Sequence, residues 1–96
     1  MNRFTITTRF RSELVDITEQ VRREIFSSGI RSGLCHVFTL HTTAGLTINE
    51  NADPDVRADI IDALNRLVPW KGDYRHTEGN SAAHIKALMA GSSVTI

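Results

Sequence analysis

Only one cysteine, Cys35, occurs in the chain. Neither an intrachain disulfide nor a cysteine-built metal cluster is therefore open to it. Cys35 sits inside an apolar run, where an inert buried thiol is the expected state and a catalytic cysteine the alternative. No charge of one sign predominates, because eleven Lys and Arg balance eleven Asp and Glu. Nucleic-acid binding usually leaves a basic footprint, so no such partner is expected. No apolar run approaches the roughly 20 residues of a membrane-crossing helix. The start, Met1-Asn2-Arg3-Phe4-Thr5, lacks the apolar stretch of a signal peptide. These absences point to a cytoplasmic protein without a membrane partner. No Gly-rich phosphate loop marks a nucleotide site.

The 96 residues suffice for one small domain, spanning 1–96, and 41% hydrophobic with 23% charged residues suits a globular chain. Phe4, Ile6, Thr8 and Phe10 alternate with Thr5, Thr7 and Arg9, which predicts a strand. Asp16-Ile17-Thr18-Glu19 offers a helix start with Thr18 as N-cap, Val21, Ile25 and Phe26 as an apolar stripe, and Gly29 as the stop. Leu34 to His41 is apolar and β-branched, a buried strand by pattern. Leu46-Thr47-Ile48-Asn49 predicts a further short strand. Asp53-Pro54 opens a second helix, with Val56, Ile60, Leu64 and Leu67 on one face and Pro69 at its end. Trp70 to Asn80 is a polar loop. Asn80 or Ser81 caps a third helix bearing Ile85, Leu88 and Met89, and Gly91 closes it. Ser92 to Ile96 begins a strand. This order predicts an α+β domain whose sheet is short for three helices. Either further strands or oligomerisation would complete such a core.

The chemistry is densest from His41 to Asp55, where one histidine, three threonines, two asparagines, a glutamate and two aspartates surround a short apolar segment. His41 ends a predicted strand and can reach a cleft, whereas His36 lies mid-strand beside Leu34, Phe38 and Leu40 and reads as a core or interface histidine. His76 sits in the polar loop and His84 in the first turns of the third helix. Three imidazoles from a strand end, a loop and a helix can bind one metal with a position left open for water or substrate. Their spacing gives no short HxH or HxxxH pair, and three separate surface histidines is the competing reading. Asp53 and Asp55 suit a helix start. Glu50 follows Ile48 by two, and a carboxylate beside apolar neighbours can serve as general acid or base. Asn49, on the opposite side, can orient a substrate or satisfy loop backbone. Arg75, Lys71, Thr42, Thr43 and the amides near Gly79-Asn80-Ser81 can bind an anion at the third helix start. Trp70 and Tyr74 are loop anchors or an aromatic wall.

The run Leu40-His41-Thr42-Thr43-Ala44-Gly45-Leu46-Thr47-Ile48-Asn49-Glu50-Asn51-Ala52-Asp53-Pro54-Asp55-Val56 resembles the signature of the YjbQ-like family. Tyr74 to Asn80, Ala83-His84-Ile85-Lys86 and Gly91 to Ile96 resemble its following blocks. The resemblance implies a trimeric α+β protein with small β-sandwich-like mixed sheets and three helices. It implies secondary thiamine-phosphate synthase activity, a weak joining of a hydroxymethylpyrimidine diphosphate to a thiazole phosphate. It also implies a divalent metal, zinc or magnesium, with His41, His76 and His84 as ligands. Glu50, Asn49 and Asp53 would line the same cleft as catalytic groups, and Thr42, Thr43, Arg75 and Asn80 would hold the small phosphorylated substrate. Family members usually continue past the position of Ile96, so the domain is expected to lack their C-terminal strands. The alternatives are a trimeric metal- or anion-binding module without catalysis and a metal-dependent hydrolase of a small phosphorylated compound.

Overall fold

A computed structural model describes residues 2–96. The elements run α1 (Thr18–Ser28), β1 (His36–Phe38), α2 (Pro54–Leu67), α3 (Ser81–Ala90) and β2 (Ser93–Thr95). The class is α+β, with three helices and a two-stranded antiparallel sheet.

Helix boundaries follow local chemistry. α1 begins at Thr18, with Ile17 at the cap position and no side-chain cap bond there. Thr18 is thus inside the helix rather than its cap. The Asp16 carboxylate supplies the start instead, accepting from the Thr18 amide at 2.9 Å and its hydroxyl at 2.6 Å. Gly29 ends α1 in the left-handed region at φ 74°, with its N–H donated to Phe26 O. Asp53 caps α2 by accepting from the Asp55 amide at 2.9 Å, and Pro54 occupies the first turn. α2 stops one residue before Pro69, at Val68. α3 lies between Asn80 and Gly91.

The sheet is smaller than the sequence pattern suggests. Regular pairing in the Leu34–His41 run is confined to His36–Phe38, in register with Thr95, Val94 and Ser93. Flanking bonds join Cys35 to Ile96 in both directions and Thr39 to Ser92. Phe4–Phe10 and Leu46–Asn49 form no strand. Alternation prepares a face for burial, but a strand exists only where a neighbour takes its backbone groups. Leu46 finds one such bond, donating to Gly91 O at 2.9 Å.

The core is correspondingly thin. Val21, Val68, Ala82 and Ala87 are its buried apolar residues. Ile25 and Phe26 do not join Val21 inside, since Phe26 is 88% exposed. On α3 the small Ala82 and Ala87 are buried while Leu88 and Met89 face outward. Cys35 is half-buried rather than enclosed. The radius of gyration is 15.1 Å, against about 12.5 Å for a compact chain of this length. The accessible surface is 7901 Å², against roughly 5500 Å² for a folded monomer of this mass. One sheet face, carrying Leu34, Phe38 and Leu40, is open. His36 lies on this face with its Nδ1 2.8 Å from Thr95 Oγ1, so the ring is hydrogen-bonded but not buried.

Two long-range ties hold the Leu40–Val56 run in place. Gly45 lies against the end of α3, where a Cβ would meet Ala90 Cβ at 2.6 Å, Ala87 O at 3.2 Å and Gly91 O at 3.3 Å. Asn51 donates to Asp16 at 2.8 Å, connecting the run to the residues ahead of α1. Gly45→Ala must push α3 away and is expected to cost about 1–3 kcal/mol in a urea unfolding titration; an unchanged midpoint would refute the close approach. The hydrogen bonds from Thr18, chiefly that of its hydroxyl, hold the Asp16 carboxyl below its ordinary value of 3.8. A lowered folded-state value contributes stability that is present above the unfolded value and lost as pH falls through the folded one. The stability gap between wild type and Asp16→Ala should therefore be constant near neutrality and close on acidification below about pH 4. A gap independent of pH in denaturation midpoints would remove Asp16 from this role.

Candidate functional site

Tyr74, Arg75 and His76 leave the α2–α3 connection beside the first turn of α3, which carries Ser81, His84 and Ile85; together with Asp73 they line an open groove of about 520 Å³. That size lies within the range of small-ligand sites. Tyr74 is pinned by its hydroxyl, which donates to Pro69 O. It folds back over Gly72, where a Cβ would meet the ring at 3.1 Å. Tyr74 thus anchors its loop and walls the groove at once. Ile85 supplies an apolar floor.

His76 and His84 are neighbours, with ring centroids 5.6 Å apart and planes at 81°. Glu78 lies beyond them, its Oε2 3.7 Å from His76 Nε2. Arg75 brings a permanent cation to the same groove. The first turn of α3 adds the positive end of the helix dipole. Arg75, the two imidazoles and the helix N-terminus offer hydrogen-bond donors suited to phosphate or carboxylate, beside the carboxylates of Asp73 and Glu78. Asn80 does not line the groove; it sits at the α3 cap position with its Oδ1 buried and without a hydrogen-bond partner. An acceptor suits an N–H or O–H of a ligand better than a phosphate oxygen.

The two rings also fit a shared ion. Imidazoles bound tetrahedrally at ~2.0–2.1 Å would place their centroids roughly 5 Å apart, close to the observed separation. Nitrogen donors of this kind favour zinc over magnesium, which prefers oxygen. Among the described residues, however, no three His, Cys, Asp or Glu side chains meet as a metal-holding group. His41 does not line the groove. Its carbonyl accepts from Ala44 at 3.2 Å, closing the His-Thr-Thr-Ala turn, and its side chain is exposed.

The other sequence candidates occupy a separate stretch. Thr42, Thr43 and Glu50 are exposed and do not line the groove. Asn49 Oδ1 is bonded to the Glu50 amide at 2.7 Å, and Asp53 is engaged as the α2 cap. Arg75, His76 and His84 are therefore the candidates that one chain brings together. Asp73 was overlooked as a lining residue, and Ser81 was expected to contribute through its backbone amide. Ser81 reads as capping chemistry in sequence, and Asp73 has no distinguishing neighbour pattern.

The fold places the chain among proteins of one α+β architecture. Residues 2–96 match the family described as UPF0047 protein YjbQ-like. The chain belongs to the YjbQ/UPF0047 family. It is 48% identical over 94 residues to UPF0047 protein MJ1081 of Methanocaldococcus jannaschii, covering 98% of this chain and 68% of that one. It is 46% identical to UPF0047 protein YugU of Bacillus subtilis, covering 92% and 67%. The crystal structure of a YjbQ/UPF0047-family protein from Clostridium acetobutylicum superposes with a TM-score of 0.91 at 50% identity, covering 95% of this chain and 70% of that one. The hypothetical protein APE1520 of Aeropyrum pernix gives 0.90 at 32% identity, covering 97% and 70%. The chain thus spans about two thirds of the length of these relatives. No helix among the described residues is long and apolar enough to cross a membrane.

Proposed function

We propose that the groove between the Asp73–His76 segment and α3 is a site for a small phosphorylated substrate, and that its reaction is of the secondary thiamine-phosphate synthase type. The observation that carries the site is the His76–His84 pair, 5.6 Å apart, beside Arg75 and the α3 N-terminus. The reaction type follows the resemblance of the His41–Val56 run and the later blocks to the family. In such a reaction a C–N bond forms between thiazole and pyrimidine as the C–O bond to diphosphate breaks. Arg75 and the first turn of α3 would hold phosphate oxygens and stabilise the negative charge that gathers on the departing diphosphate. Glu50, Asn49 and Asp53 lie outside the groove of their own chain, so in this reading they would supply acid–base or orienting groups from a second copy. Thr42 and Thr43 would add hydroxyl donors from that same stretch of the second copy, and Asn80, at the α3 cap, would complete the substrate-holding set.

His76 and His84, with His41, are the residues to hold a divalent ion, and zinc is the better match to their nitrogen donors. Such an ion supplies Lewis-acid stabilisation of phosphate charge. Only two of the three imidazoles meet within one chain, so the third comes from a second copy or from a rearranged His-Thr-Thr turn. A homotrimer in the cytoplasm, with the sheet extended toward a small β-sandwich, is the assembly this reading requires. The open sheet face and the surface excess over a compact monomer favour such completion.

The open shape of the groove favours a second reading, a trimeric metal- or anion-binding module without chemistry of its own. Turnover separates the two. The protein with added zinc or magnesium is expected to form thiamine phosphate from the pyrimidine diphosphate and thiazole phosphate, and His84→Ala to lower the rate by at least about tenfold. No turnover above the His84→Ala background would sink the synthase reading. Bound zinc without turnover would favour the module, and release of inorganic phosphate from simple esters would favour a hydrolase.

A further inference from the structure

A second polar cluster lies outside the groove. The Lys86 ammonium sits 4.7 Å from the Trp70 ring centroid, 3.0 Å from Ser12 Oγ and within hydrogen-bond reach of Asn65 Oδ1. Trp70 Nε1 donates to Ser12 Oγ at 2.9 Å, and Ser12 Oγ donates to Asn65 Oδ1 at 3.0 Å. The segment before α1, α2, the α2–α3 connection and α3 therefore meet at one cation. No carboxylate pairs with Lys86 among the described residues, where the ion pairs involve other groups.

This arrangement invites comparison with a serine–lysine nucleophilic pair, which needs a neutral amine to take the serine proton. The geometry argues against it. Ser12 accepts from Trp70 and Lys86 and commits its own proton to Asn65, so its hydrogen-bonding capacity is filled. Two neutral acceptors and a ring face all favour the ammonium form. Burial pulls Lys86 below the ordinary lysine range, but the acceptors around it work in the opposite direction. The cluster is a tie, and its placement shows what it ties. α3 carries both Lys86 and His84. Two residues at ~100° per residue lie on nearly opposite sides of a helix, so a helix held at Lys86 turns His84 outward. The connection that starts at Trp70 also carries His76.

We infer that Lys86 is a positioning residue for the His76–His84 groove: seated on Trp70 and bonded to Ser12 and Asn65, it sets the separation of the two elements that present the imidazoles. This inference rests on the groove being the ligand site, and its test includes a readout that needs no ligand. Lys86→Met keeps an apolar side chain of similar reach and removes the cation. Trp70 is the sole tryptophan, so its fluorescence reports the cluster directly. Ring-proton NOEs between His76 and His84 report their approach, and calorimetric titration with zinc alone reports the groove. Lys86→Met is expected to shift Trp70 emission, abolish the His76–His84 NOE and weaken zinc binding by about tenfold, a loss typical of removing an outer support from metal ligands. Lys86→Arg should partly restore the NOE. Ser12→Ala, which removes one leg only, should produce the same changes with smaller amplitude and serves if Lys86→Met does not fold. An NOE that persists in a folded variant with altered Trp70 emission would overturn the inference. A wild type that binds no zinc, yet loses the NOE on Lys86→Met, would overturn the ligand reading of the groove while supporting the positioning role.

Discussion

The interaction on which the helical part of this chain depends is the contact of one ammonium with neutral partners. Among the described residues no carboxylate neutralises Lys86. It is held by the Trp70 ring, the Ser12 hydroxyl and the Asn65 carbonyl oxygen. A surface ion pair contributes little, because water and salt screen it. A cation shared among part-buried dipoles and a ring is geometrically more demanding, since each partner must stand where it does. That demand gives four distant segments a common reference point. Apolar packing cannot serve instead, because the four buried apolar residues include two alanines and no large side chain is fully enclosed.

The thin core and the open sheet face are two aspects of one constraint. β1 and β2 satisfy each other's backbone groups on one side only. Phe38 and Leu34 project from the sheet with no layer above them. A two-stranded ribbon is marginal alone in water and gains stability from further strands or a packed partner. The alternating Phe4–Phe10 segment carries the composition of a strand but pairs with no strand among the described residues. The groove inherits the same openness, presenting two imidazoles at a spacing suited to one ion without a third ligand from the described residues.

Helix ends were legible because their causes are local. The Asp53-Pro54 start and the Gly29 and Gly91 stops are functions of adjacent residues, and the structure places them as the sequence implies. Where the cause was less local, the reading slipped. Thr18 has cap chemistry, yet Asp16 does the bonding from two residues earlier. Leu88 and Met89 look like core, yet α3 buries Ala82 and Ala87 and turns the two larger side chains outward. The importance of Gly45 is invisible in a one-dimensional pattern, where it marks only a break between two apolar runs.

The amino-acid sequence by itself determined the α+β class, the order of the helices, the caps at Asp53 and Gly29, the family, and the residue types from which a phosphate-handling site can be built. These depend on neighbours within a few positions or on a long specific motif. The tertiary structure decided which of those residues meet. It joined Arg75, His76 and His84 in one groove, left Thr42, Thr43 and Glu50 on another stretch, and committed Asn49 and Asp53 to local hydrogen bonds. It also gathered Ser12, Asn65, Trp70 and Lys86, which no spacing rule connects. The reason is physical: capping energies are set along the chain, whereas convergence is set by how helices pack and by which polar groups find partners across it.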